Sequence, residues 1–294
     1  MSAAARERRP RSEGSSRPRR QRRPPKPPKR RRSDLLARIF IAVPAAVVAI
    51  ALVDLGGIPW ATLMIVMSLL CLIELYEMLA RWHPIQVVGF AGAVAMVIAA
   101  HYGNVRDVLE VAVITLPVTF LAVAAAQPRG VATVRIAGTL LGIWWIGLGF
   151  AHAELLRGLP HGNSIIIDVM VGTFLGDAGA YIGGRLFGRR PLAPEISPNK
   201  TVEGLFCGMF VAVLSVFIAG QYQPWMTKGD ALLLGLAIAV LAPIGDLFES
   251  MVKRDAGVKD SGTIFGPHGG ALDRLDAIIF TIVAGYYVWI GVIH

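Results

Sequence analysis

The sequence predicts an all-α polytopic integral membrane protein with about nine transmembrane helices, a cytoplasmic N-terminus and a disordered basic N-terminal tail. The 294 residues are 54% hydrophobic and only 17% charged, with a mean hydropathy of +0.58, whereas soluble domains carry about 25% charged residues. Apolar stretches of about 20 residues recur along the chain, and this is the length that spans a bilayer core. Positive charges are divided unequally between alternate loops, as in multi-pass membrane proteins.

The N-terminal tail is the first element, and it holds the whole basic excess of the chain. Residues 1–33 contain 14 Lys or Arg against two Glu, whereas residues 34–294 carry a formal net charge of −3. A segment so rich in Arg and Pro buries too little apolar surface to fold alone. Because it directly precedes a membrane span, we interpret it as a cytoplasmic anchor for anionic lipid headgroups, uncleaved and without a nucleic acid partner.

Nine apolar segments follow the tail and form two predicted regions. Residues 34–160 are expected to hold the N-terminal transmembrane helices. Residues 161–294 are expected to form a second, C-terminal transmembrane region, which holds the two long polar interruptions of the chain. The predicted spans are 36–54, 59–79, 85–101, 108–126, 132–155, 163–184, 202–220, 230–250 and 275–293.

The orientation of these spans follows from a count of positive charges. With the N-terminus inside, the loops assigned to the cytoplasm hold 26 Lys or Arg, and those assigned to the outside hold three. Positive residues are retained on the cytoplasmic side of inserted helices. We therefore expect a multi-pass protein of the plasma (inner) membrane whose two long polar loops, 185–201 and 251–274, face the cytoplasm.

The eighth span places polar side chains on one helical face near its cytoplasmic end. Four residues of "LAPIGDLFESMVKRD" fall at i, i+4, i+7 and i+8 and so share that face: Asp246, Ser250, Lys253 and Arg254. A carboxylate at this depth is costly unless it is paired, bound to a metal or exposed to water. Salt bridges from Asp246 and Glu249 to Lys253 or Arg254 are one explanation, and a metal site is the other.

The loop before the ninth span combines glycines, a histidine and two carboxylates. In "GPHGGALDRLD", Asp273 and Asp276 stand at i, i+3 where the span begins. The preceding His268, Gly269 and Gly270 suit a ligand site, since glycine permits close backbone approach and the N–H groups of a helix start favour phosphate. Carboxylates with Lys and Arg nearby suit Mg²⁺ carrying a polyphosphate. We interpret His268 as a substrate contact, and Asp273 has a structural alternative as a helix N-terminal charge.

The sixth span and its exit repeat the same combination. "GTFLGDAGAYIGGRLFG" carries Asp177 and Tyr181 at i, i+4, and "RRPLAPEISPNKTVEG" carries Lys200 and Glu203 just before the seventh span. Three predicted cytoplasmic helix ends therefore present an acid beside a base and glycine. No G-x-x-x-x-G-K-[ST] loop occurs in the chain, which excludes a soluble-type NTPase fold.

Together these segments resemble the signature of the phosphatidate cytidylyltransferases, also called CDP-diacylglycerol synthases. The resemblance lies in the spacing S-x-x-K-R-x-x-x-x-K-D, a His-Gly-Gly turn and D-R-x-D, and it covers about 177–204 and 243–276 closely. The first five spans match only as hydrophobic helices. The residues that carry the signature are Ser250, Lys253, Arg254, Lys259, Asp260, His268, Gly269, Gly270, Asp273, Arg274 and Asp276.

The resemblance implies cytidylyl transfer from CTP to phosphatidic acid, with membrane lipids as further partners, Mg²⁺ as cofactor and room for a second cation. It makes residues 161–294 the C-terminal catalytic transmembrane region, with Asp246 and Asp273 as the metal ligands. The catalytic set it implies is Asp246, Asp273, Lys200, Lys253 and Arg254. The substrate contacts it implies are Asp177, Tyr181, Glu203, Ser250, Lys259, Asp260, His268, Gly269, Gly270, Arg274 and Asp276. A homodimer is compatible with such an enzyme, and nothing in the sequence fixes it.

Other functions use similar residues. A CDP-archaeol synthase or a dolichol-kinase-like enzyme would perform related chemistry on another lipid, and the complete signature favours the phosphatidate enzyme. A CDP-alcohol phosphotransferase needs a D-G-x-x-A-R motif, which this sequence lacks. A transporter that binds a coupling ion would place its acids near mid-bilayer on discontinuous helices, whereas here the acids cluster at one predicted face.

Overall fold

The described part of the protein is an α-helical bundle with one small β-hairpin. The computed structural model describes residues 47–127, 130–262 and 269–293. Residues 47–55 are helical, and a 3₁₀ turn spans Ala80–Trp82. The helices are α1 Gly57–Met78, α2 Gln86–Tyr102, α3 Val105–Ala125, α4 Ala132–Gly158, α5 Gly162–Phe187, α6 Val202–Gly220, α7 Lys228–Ala256 and α8 Leu272–Ile293; the strands are β1 Pro191–Ala193 and β2 Ser197–Thr201.

The predicted membrane fold is confirmed. Within the described residues, seven helices are long and apolar enough to cross a membrane, and α2 is an apolar helix of 17 residues. These eight helices coincide with the second to ninth predicted spans. The predicted tail and the first part of the first predicted span lie outside the described residues, so the count of nine and the side of the N-terminus stay predictions. The division at residue 160 also stays a prediction.

The outer surface of the bundle is apolar in a way that suits a lipid environment. Large hydrophobic side chains stand fully outward, with Val113 70% and Phe210 68% exposed. Soluble proteins seldom expose contiguous apolar surface on this scale. The interior holds fully enclosed apolar side chains such as Leu72, Ile146 and Ile238. Buried hydroxyl groups within the helices, such as that of Thr173, bond to backbone carbonyls of their own helix.

The ends of the long helices are set by local polar contacts. Asn104 and Asp107 form a capping box at the start of α3, and Thr227 and Asp230 form one at the start of α7. Such reciprocal bonds satisfy backbone N–H groups that have no partner within the helix. The helix α7 ends at Gly257, whose φ of 78° reverses the chain as a left-handed cap.

Three helices carry interruptions. Pro117 lies inside α3, Pro243 lies inside α7, and Ile143–Gly147 form a π-helical turn within α4. Proline lacks the N–H that would bond to the carbonyl four residues earlier, so it locally weakens a helix. Pro243 stands three residues before Asp246, which places this weakening next to the candidate site.

The most extensive contact between helices joins α5 and α6, and it is made by small residues. A Cβ atom at Gly208 would lie 2.7 Å from the Cβ of Ala180 and 2.8 Å from the carbonyl oxygen of Gly176. Small residues let membrane helices approach closely, which compensates for the weak hydrophobic drive within lipid. This contact holds the end of α5, with Asp177, against the start of α6.

Replacing Gly208 by Val is expected to lower the stability of the protein by about 1–3 kcal/mol, because the added methyl groups overpack the α5–α6 contact. The midpoint of thermal unfolding in detergent measures this loss. Gly291→Val is the matched control, since a Cβ at Gly291 meets no atom within 4 Å. Equal losses in the two variants would show that the close approach of α5 and α6 does not matter.

Candidate active site

Polar side chains from the predicted motifs meet at one end of the bundle. This end is formed by the last turns of α5 and α7 and the first turns of α6 and α8. Ion pairs link the elements directly: Lys200 of β2 contacts Asp246 of α7, and Lys253 of α7 contacts Asp273 of α8. These ion pairs bring together residues that are 46 and 20 positions apart in the sequence.

The first ion pair depends on the β-hairpin between α5 and α6. The strands pair antiparallel, with Pro191 opposite Thr201, and Lys200 follows as the penultimate residue of β2. Its ammonium group pairs with Oδ2 of Asp246, and both side chains are about 30% exposed. Asp246 also accepts a long hydrogen bond of 3.4 Å from the hydroxyl of Ser250, one turn later on α7. Lys200 therefore lies in direct contact with the polar face of α7 that the sequence predicts.

Two further carboxylates lie close enough to Asp246 to interact with its charge. Asp177 of α5 interacts with Asp246 and Lys200. Asp276 of α8 is 9% exposed and interacts with Asp246, Asp177 and Lys253. Three acids from three helices thus lie near enough for their charges to interact, and within the described residues Lys200 is the cation in direct contact with one of them. Such an excess of negative charge favours a bound cation.

The second ion pair is a bridge made by Lys253. Its ammonium group contacts Oε2 of Glu249, one turn earlier on α7, and Oδ1 of Asp273 at 2.7 Å. Glu249 is fully buried, and within the described residues its Oε1 has no hydrogen-bond partner. The salt-bridge explanation within α7 therefore applies to Glu249, whereas Asp246 pairs with a lysine from another element.

Asp273 is held by backbone groups as well as by Lys253. Its Oδ2 accepts hydrogen bonds from the N–H of Gly270 at 2.8 Å and of Ser261 at 3.0 Å. The preceding Gly269 has a φ of 83°, and a Cβ there would lie 2.6 Å from Oδ2 of Asp273. Gly269 is thus required by its positive φ and by its close approach to this carboxylate, whereas a Cβ at Gly270 would instead meet Glu74 and Ser261. The predicted structural role of Asp273 at the helix start is compatible with its predicted role in the site.

Glu74 of α1 also lies at this end of the bundle, although none of the sequence motifs contains it. It is 1% exposed, and its carboxylate accepts hydrogen bonds from the hydroxyl of Ser261 at 3.0 Å and from the N–H groups of Ala271 and Leu272 at 2.9 Å. The available signal was an acid inside the apolar segment "CLIELYEML", since such a residue is costly unless it has partners.

Two predicted site residues support the hairpin. Oε2 of Glu203 accepts hydrogen bonds from the N–H groups of Arg189 at 2.9 Å and Arg190 at 3.1 Å. The guanidinium of Arg254 donates to the carbonyl of Ile196, in the hairpin turn, at 3.1 Å. Both contacts fix the hairpin that carries Lys200, and substrate contacts by the same side chains stay predictions.

The remaining predicted residues that the structure describes have exposed side chains. Tyr181 is 68% exposed on α5, and its hydroxyl accepts a 3.4 Å contact from Arg185. Lys259, Asp260 and Arg274 are also exposed. His268 lies outside the described residues, so its predicted substrate contact stays a prediction.

The donor set fits a hard divalent cation that takes few protein ligands. Within residues 47–127, 130–262 and 269–293, no group of three or more His, Cys, Asp or Glu side chains converges to hold a metal by itself. Mg²⁺ commonly binds through one or two carboxylates and completes its shell with water and substrate phosphate oxygens. Asp246 and Asp273 supply such carboxylates, and in this geometry each is paired with a lysine.

Comparison with known proteins gives consistent matches over most of the chain. The sequence model described as "Cytidylyltransferase family" matches residues 36–290. A phosphatidate cytidylyltransferase of Bacillus subtilis (strain 168) is 32% identical over 263 residues, which cover 87% of this chain and 97% of the relative. One of Staphylococcus haemolyticus (strain JCSC1435) is 32% identical over 256 residues, which cover 83% of this chain and 95% of the relative.

Proposed function

This chain belongs to the cytidylyltransferase family, and from that premise we propose that it is a phosphatidate cytidylyltransferase of phospholipid biosynthesis. Family membership makes it a CTP-using nucleotidyltransferase of the membrane. The proposed acceptor is phosphatidic acid, by analogy with the names of the relatives in Bacillus and Staphylococcus. An oxygen of the lipid phosphate would attack the α-phosphorus of CTP, the bond from that phosphorus to the bridging oxygen would break, and pyrophosphate would leave.

The observation that carries the proposal is the pair of lysine–carboxylate contacts at one end of the bundle. Lys200 pairs with Asp246, and Lys253 pairs with Asp273, while further carboxylates stand beside them. A site for this reaction must accept two polyanions and a cation. If each carboxylate releases its lysine when it binds the metal ion, the lysine becomes available to bind phosphate. The same four residues can then hold both the cation and the phosphate groups.

The chemistry asks for charge neutralisation and alignment more than for a strong base. A lipid phosphate is already anionic near neutral pH, so its attacking oxygen needs no proton removed. The main barrier is repulsion between two phosphate groups, and ammonium groups held in place lower it. Mg²⁺ held by Asp246 and Asp273 would supply further charge neutralisation at the triphosphate, and the surplus of carboxylates leaves room for a second cation.

The position of the site also suits two substrates of opposite solubility. The ion pairs lie at helix ends, where a lipid phosphate at the membrane surface and a water-soluble nucleotide can both arrive. The count of positive charges supports a cytoplasmic orientation of this end. We therefore include a cytoplasmic site in the plasma membrane, open sideways to lipid, in the proposal.

Purified protein in detergent is expected to release pyrophosphate from CTP only when phosphatidic acid and Mg²⁺ are both present. Removal of Mg²⁺ by a chelator should abolish release, and added Mg²⁺ should restore it, because two lysines alone leave the triphosphate charge largely unneutralised. Lipid extracts of the reaction should contain CDP-diacylglycerol. Folded protein that turns over CTP with another anionic lipid but not with phosphatidic acid would contradict the proposed acceptor.

A further inference from the structure

We propose that Glu74 is a positioning residue for the reaction, holding Ser261 and the start of α8 so that Asp273 stays in register with Lys253. This inference rests on the proposed function, and it adds a residue from the N-terminal half of the chain that the motifs do not contain. Glu74 does not touch the lysines of the site and is 1% exposed. Its influence must therefore pass through the groups that it binds.

The carboxylate of Glu74 occupies the N-terminus of α8. The N–H of Ala271 donates to Oε1, and the N–H of Leu272 donates to Oε2, each at 2.9 Å. The first N–H groups of a helix have no partner within it, and a negative charge there also interacts favourably with the helix dipole. Glu74 is thus a cap for α8 supplied by another helix, and it fixes where α8 begins.

The backbone closes around this carboxylate so tightly that glycine is needed on both sides. A Cβ atom at Gly262 would lie 2.6 Å from Oε1 of Glu74, and one at Gly270 would also overlap the carboxylate. Side chains at either position would push the loop away from α1. The described backbone at Ser261 and Gly262 and at Gly270 and Ala271 is therefore matched to the position of Glu74.

Ser261 transmits the position of Glu74 to Asp273. Its hydroxyl donates to Oε2 of Glu74 at 3.0 Å and accepts the N–H of Asp273 at 3.3 Å, while its own N–H donates to Oδ2 of Asp273 at 3.0 Å. Asp273 in turn contacts Lys253 at 2.7 Å. Four residues thus form a continuous path from α1 to the candidate site, and each link is a direct hydrogen bond or ion pair.

An acid is required at position 74, since all three partners donate to it. A glutamine of the same size would, in either orientation of its amide, present an NH₂ group to the N–H of Ala271 or of Leu272, and two donors cannot bond to each other. Glu74→Gln therefore keeps the volume of the side chain while it breaks the cap. Glu77→Gln is the matched control, because Glu77 lies one turn later on α1 and is exposed.

The test combines hydrogen exchange with kinetics on the full chain in detergent. In Glu74→Gln we expect amide exchange of the peptide covering residues 269–275 to rise about tenfold or more, with the middle parts of α1 to α7 unchanged. We expect kcat to fall about 10- to 100-fold and the Mg²⁺ concentration for half-maximal turnover to rise, as for residues that orient metal ligands. Glu77→Gln should match the wild type in all three measurements.

The possible results separate the inference from the proposed function. Unchanged exchange at 269–275, or exchange raised equally in every helix, would overturn the positioning role. If Glu74→Gln does not fold, Ser261→Ala tests the same path, and wild-type kinetics and exchange in that variant would overturn it. If the wild type turns over no CTP with phosphatidic acid, the proposed function fails by itself, while raised exchange confined to 269–275 in Glu74→Gln would still support the cap.

Discussion

Asp273→Asn is expected to reduce CTP turnover by about 10²–10³-fold, the scale seen when one preorganised charge-stabilising group is lost from an active site. Asparagine keeps the size of the side chain and one oxygen that can accept the N–H groups of Ser261 and Gly270. It removes the negative charge that pairs with Lys253 and that we propose holds the metal. The start of α8 should therefore persist while the chemistry is lost. Initial rates of pyrophosphate release at saturating CTP, lipid and Mg²⁺ measure the effect.

The matched control for this variant is Asp255→Asn. Asp255 is exposed near the end of α7, close to the site in sequence but outside the path of ion pairs. We expect its rate to stay within about twofold of the wild type, because surface substitutions away from such features have small effects. An Asp273→Asn protein with more than a tenth of the wild-type rate would argue against a metal-binding role for Asp273.

Lys253→Met is expected to have the second large effect, on stability and on activity together. Lys253 bridges Asp273 and the fully buried Glu249. Removing one partner of a buried ion pair costs up to about 3–5 kcal/mol, because the carboxylates left behind must either bind a proton or remain uncompensated. The same substitution removes a cation that we assign to phosphate. The midpoint of thermal unfolding and the rate of CTP turnover should both fall, and Lys228→Met, exposed at the opposite end of α7, should change neither.

A double variant separates the two consequences of losing Lys253. Glu249→Gln removes the buried charge that Lys253 neutralises, so Glu249→Gln with Lys253→Met should regain much of the lost stability. Turnover should stay low, because the cation is still missing. Recovery of turnover together with stability would show that Lys253 serves the fold alone and has no part in binding phosphate.

Much of the site could be predicted from the sequence because its residues follow short-range spacing. Asp246, Ser250 and Lys253 recur at helical intervals, and the structure places the hydroxyl of Ser250 against Asp246 one turn away. Asp273 and Asp276 likewise stand one turn apart at the start of a helix. Helical periodicity is a local property, so the face that such residues share can be inferred without knowledge of the tertiary structure.

The partners of these residues could not be predicted in the same way. Lys200, in strand β2 of a β-hairpin, contacts Asp246 of α7. The sequence predicts only a polar loop for this segment. Glu74 meets Ser261 across 187 residues of sequence. Contacts of this kind depend on how the helices pack, so they cannot be predicted from the spacing of residues along the sequence. Glu203 and Arg254 show the same difficulty, since in the structure their contacts are with the backbone of the hairpin.

The cap that α1 provides for α8 has a consequence for how the protein is made. Glu74 leaves the ribosome long before its donors, which follow it by 187 to 198 residues. Until they are synthesised, its carboxylate lies near the end of an apolar helix without its native partners, which is a costly state in a membrane. A nascent chain that stops before residue 261 keeps this acid unsatisfied, and its earliest helices stay incompletely assembled. We therefore expect α1 to reach its final packing only after α8 has been made, which leaves any shortened product open to quality control.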